Sequence, residues 1–138
     1  MIRKALIALV LLAGHRTAHT QPSFAPSVQV LEACREGPAG STPTGMAICA
    51  REATHLADRR LATLIGEATA PSLGLRGVDL SASQMHWQRY RDLHCGLFDR
   101  REGSSGTQTP ADIELCRLSR TLHRESELRE LIYLMGPR

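Results

Sequence analysis

Apolar residues recur along this chain at intervals of three and four, the pattern of helices that each bury one stripe. From about Thr44 to Thr69, Cys49, Ala53, Leu56, Ala57, Leu61, Leu64 and Ala68 share one broad face, and Arg51, His55, Asp58 and Arg59 occupy the opposite one. A second helix is predicted from Ser81 to about Arg101, because Gln84, Trp87, Arg91, Cys95 and Phe98 fall on a single stripe that should face the core. Its opening, Ser81-Ala82-Ser83-Gln84, has the form of a capping box. A third helix is predicted from Thr109, with Thr109 as cap, Pro110 in the first position and Asp112 in the first turn, and it ends at Gly136-Pro137.

Breakers separate these helices. Gly37 to Gly45 holds two prolines and reads as a loop, and the Pro- and Ser-bearing stretch 21–33 reads as a spacer, with Val28 to Cys34 either a short helix or an extended piece. The connection Ala70 to Leu80 is long for a helical hairpin and is therefore the first place to look for function. Glu102 to Thr109 contains no apolar residue and reads as a loop. The expected fold is all-α, a small antiparallel three-helix domain over residues 34–135 with an N-terminal strap. Trp87, the only Trp among five aromatics, is its expected packing anchor.

The first twenty residues change the charge picture. Arg3 and Lys4 precede an uninterrupted apolar run from Ala5 to Ala13, too short to span a bilayer, so residues 1–20 read as a secretory signal with the mature chain starting near Gln21. Leu12-Ala13-Gly14-His15 has the outline of a lipoprotein cleavage box with His15 in place of Cys, so no lipid anchor is expected, and the location is periplasmic or secreted. Without Arg3, Lys4 and Arg16, the 17 basic residues become fourteen, equal to the 14 acidic ones. The positive formal charge therefore belongs to the targeting segment, and nucleic-acid binding is not expected.

Four cysteines, Cys34, Cys49, Cys95 and Cys116, in an exported chain favour two disulfides. No C-x-x-C knuckle is present, nor any H-x-x-x-H beyond residue 20, and spacings of 15, 46 and 21 fit no compact zinc pattern, so no metal site is expected. An antiparallel second and third helix would bring Cys95 level with Cys116, leaving Cys34 for Cys49. The alternative, Cys49 with Cys95 and Cys34 with Cys116, stays open because the second helix also returns past the start of the first.

Q-x-x-W-x-x-x-R-D-x-x-C at Gln84, Trp87, Arg91, Asp92 and Cys95, followed by Cys116, Thr121, Arg124 and Leu128, resembles the pattern of the LprI-like family, which is named for a mycobacterial lysozyme inhibitor. Asp58 and Leu61, nine and twelve residues after Cys49, fit the first half of that pattern. The resemblance covers about Cys34 to Leu131 and departs from the family at Ala62 and Ile65, where Asn and Tyr are common. It implies a small exported, disulfide-bonded helical domain whose named member inhibits lysozyme.

The motif residues read mainly as structural. Arg91, Asp92 and Arg124 are expected to form an ionic cluster between helices, with Asp58 as a further partner, and Gln84 and Thr121 to serve as caps or interhelical hydrogen bonds. His55, His86, His94 and His123 read as scattered surface or supporting residues. There is no G-x-S-x-G, H-E-x-x-H or phosphate-cradling loop, so a non-enzymatic role with no cofactor is expected. An inhibitor needs a protruding element that can reach the two catalytic carboxylates of a lysozyme cleft. The candidate is Leu75, Arg76 and Val78, with Gly74 and Gly77 flanking the arginine. The runner-up is an interaction module of the cell envelope that docks on a protein through an exposed helical face.

Overall fold

The computed structural model describes residues 25–74, 76–100 and 109–135. The expected signal segment, the loop 102–108, Leu75, the Val78 side chain and the Gly136-Pro137 stop lie outside the described residues. The described chain forms four α-helices, α1 (Pro26–Glu36), α2 (Pro43–Ala68), α3 (Gly77–Cys95) and α4 (Thr109–Met135), with short 3-10 turns at Pro38–Ser41, Pro71–Leu73 and Gly96–Arg100.

The expectation of three helices with a strap is corrected to four, because the strap is itself a helix. Pro26 sits in the first turn, where its missing N–H costs nothing and its fixed φ favours the helix. Leu31 then packs on α2 beside Ala53, Ala57 and Leu118, and Cys34 is bonded to Cys49. The spacer reading of 21–33 therefore gives way to helix from Pro26 onward. Pro38–Ser41 turns the chain back tightly enough that a side chain at Gly45 would collide with the backbone of Ala39. The Thr42 hydroxyl accepts from the Gly45 N–H at 3.0 Å and caps α2.

α2 and α4 share the most extensive helix contact. Their register follows from Arg51 with Glu114 and Arg60 with Glu125, so sequence numbers rise together and the two helices run parallel. α3 lies antiparallel to both, since Arg91 meets Asp58 and Thr121, and Gln84 meets Arg124. Cys95–Cys116 joins the C-terminal end of α3 to α4, and each disulfide has a Cα–Cα separation of 5.6 Å. The pairing is therefore the hairpin arrangement, and the crossed alternative is excluded.

Two apolar clusters fill the bundle. One holds Ala53, Ala57 and Leu118, with Leu31 and Leu122 against it. The other holds Leu61, Leu64, Ala68, Leu80 and Leu128, with Ile65, Trp87, Leu131 and Ile132 around it. Trp87 is half-buried at the edge of this second cluster, so Leu61 and Leu128 take the central position expected of it.

α3 starts one turn before Ser81. Leu80 is buried, and seating it against Ala68 and Leu128 draws Gly77–Leu80 into the helix. Ser81 and Ser83 are thus exposed side chains on a continuing helix, and the capping-box reading is corrected. The connection from α2 shortens to residues 69–76 and includes the turn Pro71–Leu73, after which Gly74 takes φ +66°, a left-handed conformation suited to glycine. α3 also ends earlier than expected, at Cys95, and Phe98 falls in the following turn, exposed rather than on the buried stripe.

Leu61 is 1% exposed at the centre of the larger cluster. Leu61→Ala is expected to lower stability by about 2–5 kcal/mol, read from the midpoint of urea unfolding of the oxidised protein.

Candidate functional site: an ionic layer and its cleft

On α2, Asp58 follows Ala57 and precedes Leu61, and on α4, Thr121 follows Leu118 and precedes Leu128. These polar side chains therefore occupy a level between the two apolar clusters. Arg91 enters that level from α3. Its side chain is only 10% exposed, so its charge and N–H groups need partners within the protein.

The Arg91 Nη1 donates to Asp58 Oδ1 at 2.7 Å and to Thr121 Oγ1 at 2.9 Å, and its Nε donates to Asp92 Oδ1 at 3.2 Å. The guanidinium carbon lies 5.1 Å from the centroid of the Trp87 ring, within reach of a cation–π contact. The Thr121 hydroxyl donates to the Arg117 carbonyl at 2.9 Å, so its lone pairs remain free to receive Arg91. One side chain of α3 is thereby fastened to α2 and α4 together.

The expected cluster of Arg91, Asp92 and Asp58 is present, and Arg124 is not part of it. Arg124 lies further along α4, where it donates to Ser83 Oγ at 3.1 Å, Gln84 Oε1 at 3.5 Å and Glu127 Oε2 at 2.9 Å. Arg117 stands nearer the cluster, with its Nε 3.5 Å from Asp92 Oδ1 and its Nη1 donating to Glu114 Oε1 at 3.1 Å. The sequence reading missed Arg117, although it lies four residues before Thr121 on the same helical face. It also missed Glu114, which accepts from Arg51 at 3.3 Å, and Glu125, which accepts from Arg60 at 2.7 Å and Arg129 at 2.8 Å. Gln84 is an interhelical acceptor rather than a cap, and Leu128 is a core residue. Asp58, assigned to the outer face of its helix, is half-buried because Arg91 draws on it.

Above Arg91 the three helices enclose a cleft of about 300 Å³, lined by Arg51, Thr54, His55, Asp58, Arg91, Asp92, Glu114 and Arg117. Its three guanidinium groups and three carboxylates are matched in charge and largely bonded to one another. The Thr54 hydroxyl donates to the Ala50 carbonyl at 2.8 Å and is therefore directed into its own helix. His55, His86 and His123 are exposed, and His94 contacts Arg120 at 2.8 Å. Among the described residues no group of three or more His, Cys, Asp or Glu is placed to hold a metal ion. The cleft is a surface of paired charges whose evident work is to hold the helices in register.

Arg76 lies elsewhere, in the α2–α3 connection. Its side chain is 78% exposed, and its Nε donates to Asp79 Oδ2 at 2.6 Å. It shares an end of the bundle with the last turns of α4, because Leu131 and Ile132 pack with Ala68 and Leu80.

Arg91→Ala removes the cation shared by Asp58 and Asp92, leaving only the 3.4 Å hydrogen bond from the Thr121 hydroxyl to Asp58 at this level, and is expected to cost about 2–3 kcal/mol. Arg91→Lys is expected to recover only part of that loss, because an ammonium cannot reach three acceptors in the plane of a guanidinium. Chemical denaturation of the two variants beside the parent checks both expectations.

Residues 34–128 match the family model described as lysozyme inhibitor LprI. No curated protein and no solved structure matches the chain. The matched span begins at Cys34 and ends at Leu128, so it takes in both disulfides and the whole ionic layer, and leaves out most of α1 and the last turns of α4. The chain therefore belongs to the LprI lysozyme inhibitor family.

Proposed function

We propose that this protein is an exported lysozyme inhibitor that acts by protein–protein contact, and that the α2–α3 connection with Arg76 is the part that engages the enzyme. The observation that carries the reading is the family match over residues 34–128. The two disulfides fit an oxidising, extracytoplasmic compartment. A lysozyme cleft presents two carboxylates, and a guanidinium can meet a carboxylate with two parallel hydrogen bonds.

The surroundings of Arg76 support this use. Its ion pair with Asp79 is exposed, and pairs of that kind are worth ~1 kcal/mol or less, so a carboxylate of the enzyme can replace Asp79 at small cost. Tyr133, which is exposed in the last turn of α4, stands at the same end of the bundle. Arg and Tyr are the residue types that most often dominate binding energy at protein interfaces. The ionic layer, by contrast, is used up in holding the helices together.

The test is muramidase activity on purified cell wall, with c-type and g-type lysozymes and increasing amounts of the processed, oxidised protein. Dose-dependent loss of activity that disappears when the disulfides are reduced is the expected result. Arg76→Ala is expected to weaken inhibition about tenfold or more with an unchanged thermal midpoint. Full inhibition by Arg76→Ala would move the contact to another surface. No inhibition of any lysozyme at tens of micromolar would leave the chain an envelope interaction module.

A further inference from the structure

The ionic layer holds the helices in register, and the cleft of about 300 Å³ above it also carries polar atoms that the helices do not use. Arg51 is largely exposed and engages only its Nε, which donates to Glu114 Oε1 at 3.3 Å, so among the described residues its two Nη groups have no acceptor. Arg117 gives Nη1 to the same carboxylate oxygen at 3.1 Å. Its Nε is buried without a hydrogen-bond partner, although Asp92 Oδ1 lies 3.5 Å away. A buried donor with no acceptor is rare in folded proteins and calls for an explanation. On the acidic side, Asp58 and Asp92 each accept hydrogen bonds only at Oδ1, and both side chains are partly open to solvent.

These groups are sorted along the cleft. Arg51 and Arg117 share Glu114, two positive charges on one negative, whereas Asp58 and Asp92 share Arg91, two negative charges on one positive. Arg51 and Asp58 are seven residues apart on α2, about 10 Å along its axis. The cleft is therefore neutral as a whole and dipolar from end to end, and its lining is polar throughout.

We propose that this cleft binds a small zwitterion of the amino-acid or short-peptide class, with its carboxylate on the guanidinium groups of Arg51 and Arg117 and its ammonium on the carboxylates of Asp58 and Asp92. A guanidinium fork is matched to a carboxylate in geometry as well as in charge. A simple anion is repelled at the acidic end and a simple cation at the basic end, so a ligand that carries both charges gains at both. An apolar ligand finds no surface to bury. The volume lies at the lower limit of small-molecule sites and suits one or two amino-acid residues. A dipeptide, whose charges stand further apart than those of a single amino acid, reaches the two ends better.

The ligand takes atoms that the ionic layer leaves open, so the bonds from Arg91 to Asp58 and Thr121 remain. Arg76 lies at the end of the bundle and takes no part. The site therefore does not depend on lysozyme inhibition, and failure of either reading leaves the other intact.

Amide and arginine Nε–H NMR spectra of the processed, oxidised protein, titrated with alanyl-alanine, test the proposal. Saturable shifts are expected around residues 51–58, 91–92 and 114–117, with the Nε–H signals of Arg51 and Arg117 among them. N-acetyl-alanyl-alanine and alanyl-alanine amide each lack one charge and are expected to bind about tenfold more weakly or worse. Arg51→Gln and Asp92→Asn, both at exposed positions, are each expected to weaken dipeptide binding about tenfold with unchanged helical circular dichroism. No saturable shift at tens of millimolar dipeptide would overturn the proposal. Equal affinity for the blocked dipeptides would overturn the zwitterion assignment. Shifts centred on another surface, or full affinity in both variants, would overturn the assignment to this cleft.

Discussion

A guanidinium taken out of water needs partners for its charge and for its N–H groups, and Arg91 finds them only when α2, α3 and α4 are all in place. Asp58 supplies the charge from α2, Thr121 supplies a hydroxyl from α4, and Asp92 and Trp87 flank the group from α3 itself. Because the donors of a guanidinium lie in a fixed plane, these contacts fix the rotation and the axial position of α3 against the α2–α4 pair. Leu80 and Trp87 pack α3 against Leu61, Leu64 and Leu128 on one side of this layer, and Cys95–Cys116 ties its other end to α4.

Helix α1 and helix α3 divide the work of covering the α2–α4 pair. α1 closes the cluster around Ala53 and Leu118 and is held by Cys34–Cys49, while α3 closes the cluster around Leu61 and Leu128. Each disulfide thus ties a covering helix to the central pair. The family motif turns out to describe this interior scaffold: Asp58, Trp87, Arg91, Asp92 and Thr121 converge on one point, and Leu61 and Leu128 meet below it. The motif side chains are thus taken up in holding the helices together, and Arg76, the proposed contact, lies outside that scaffold.

The helices were legible in the sequence because their apolar spacing and their breakers agree, and the likelier of two disulfide pairings followed from the hairpin geometry. α1 was harder to read. Its stretch carries Pro and Ser, which locally argue for a loop, and its helix depends on tertiary contacts of Leu31 and Cys34. The start of α3 was misplaced for a related reason: Ser81 and Gln84 offer good local capping, but burying Leu80 outweighs it. In the ionic layer, Arg91 and Asp58 could be named from sequence, yet which of the arginines on α4 would join them depends on the parallel register of α2 and α4. That register puts Arg117 near Asp92 and carries Arg124 further along, to Ser83 and Gln84.

The most direct test of Arg91 as the fastening of three helices is a double-mutant cycle between Arg91→Met and Asp58→Leu, read by urea denaturation of the oxidised protein. Each single change strands the opposite charge, whereas the double variant removes both, so it should be more stable than the sum of the two losses indicates. A coupling energy of about 1–3 kcal/mol is expected. Losses that add to within about 0.5 kcal/mol would contradict it, and would place the stability of the bundle in its apolar clusters and disulfides alone.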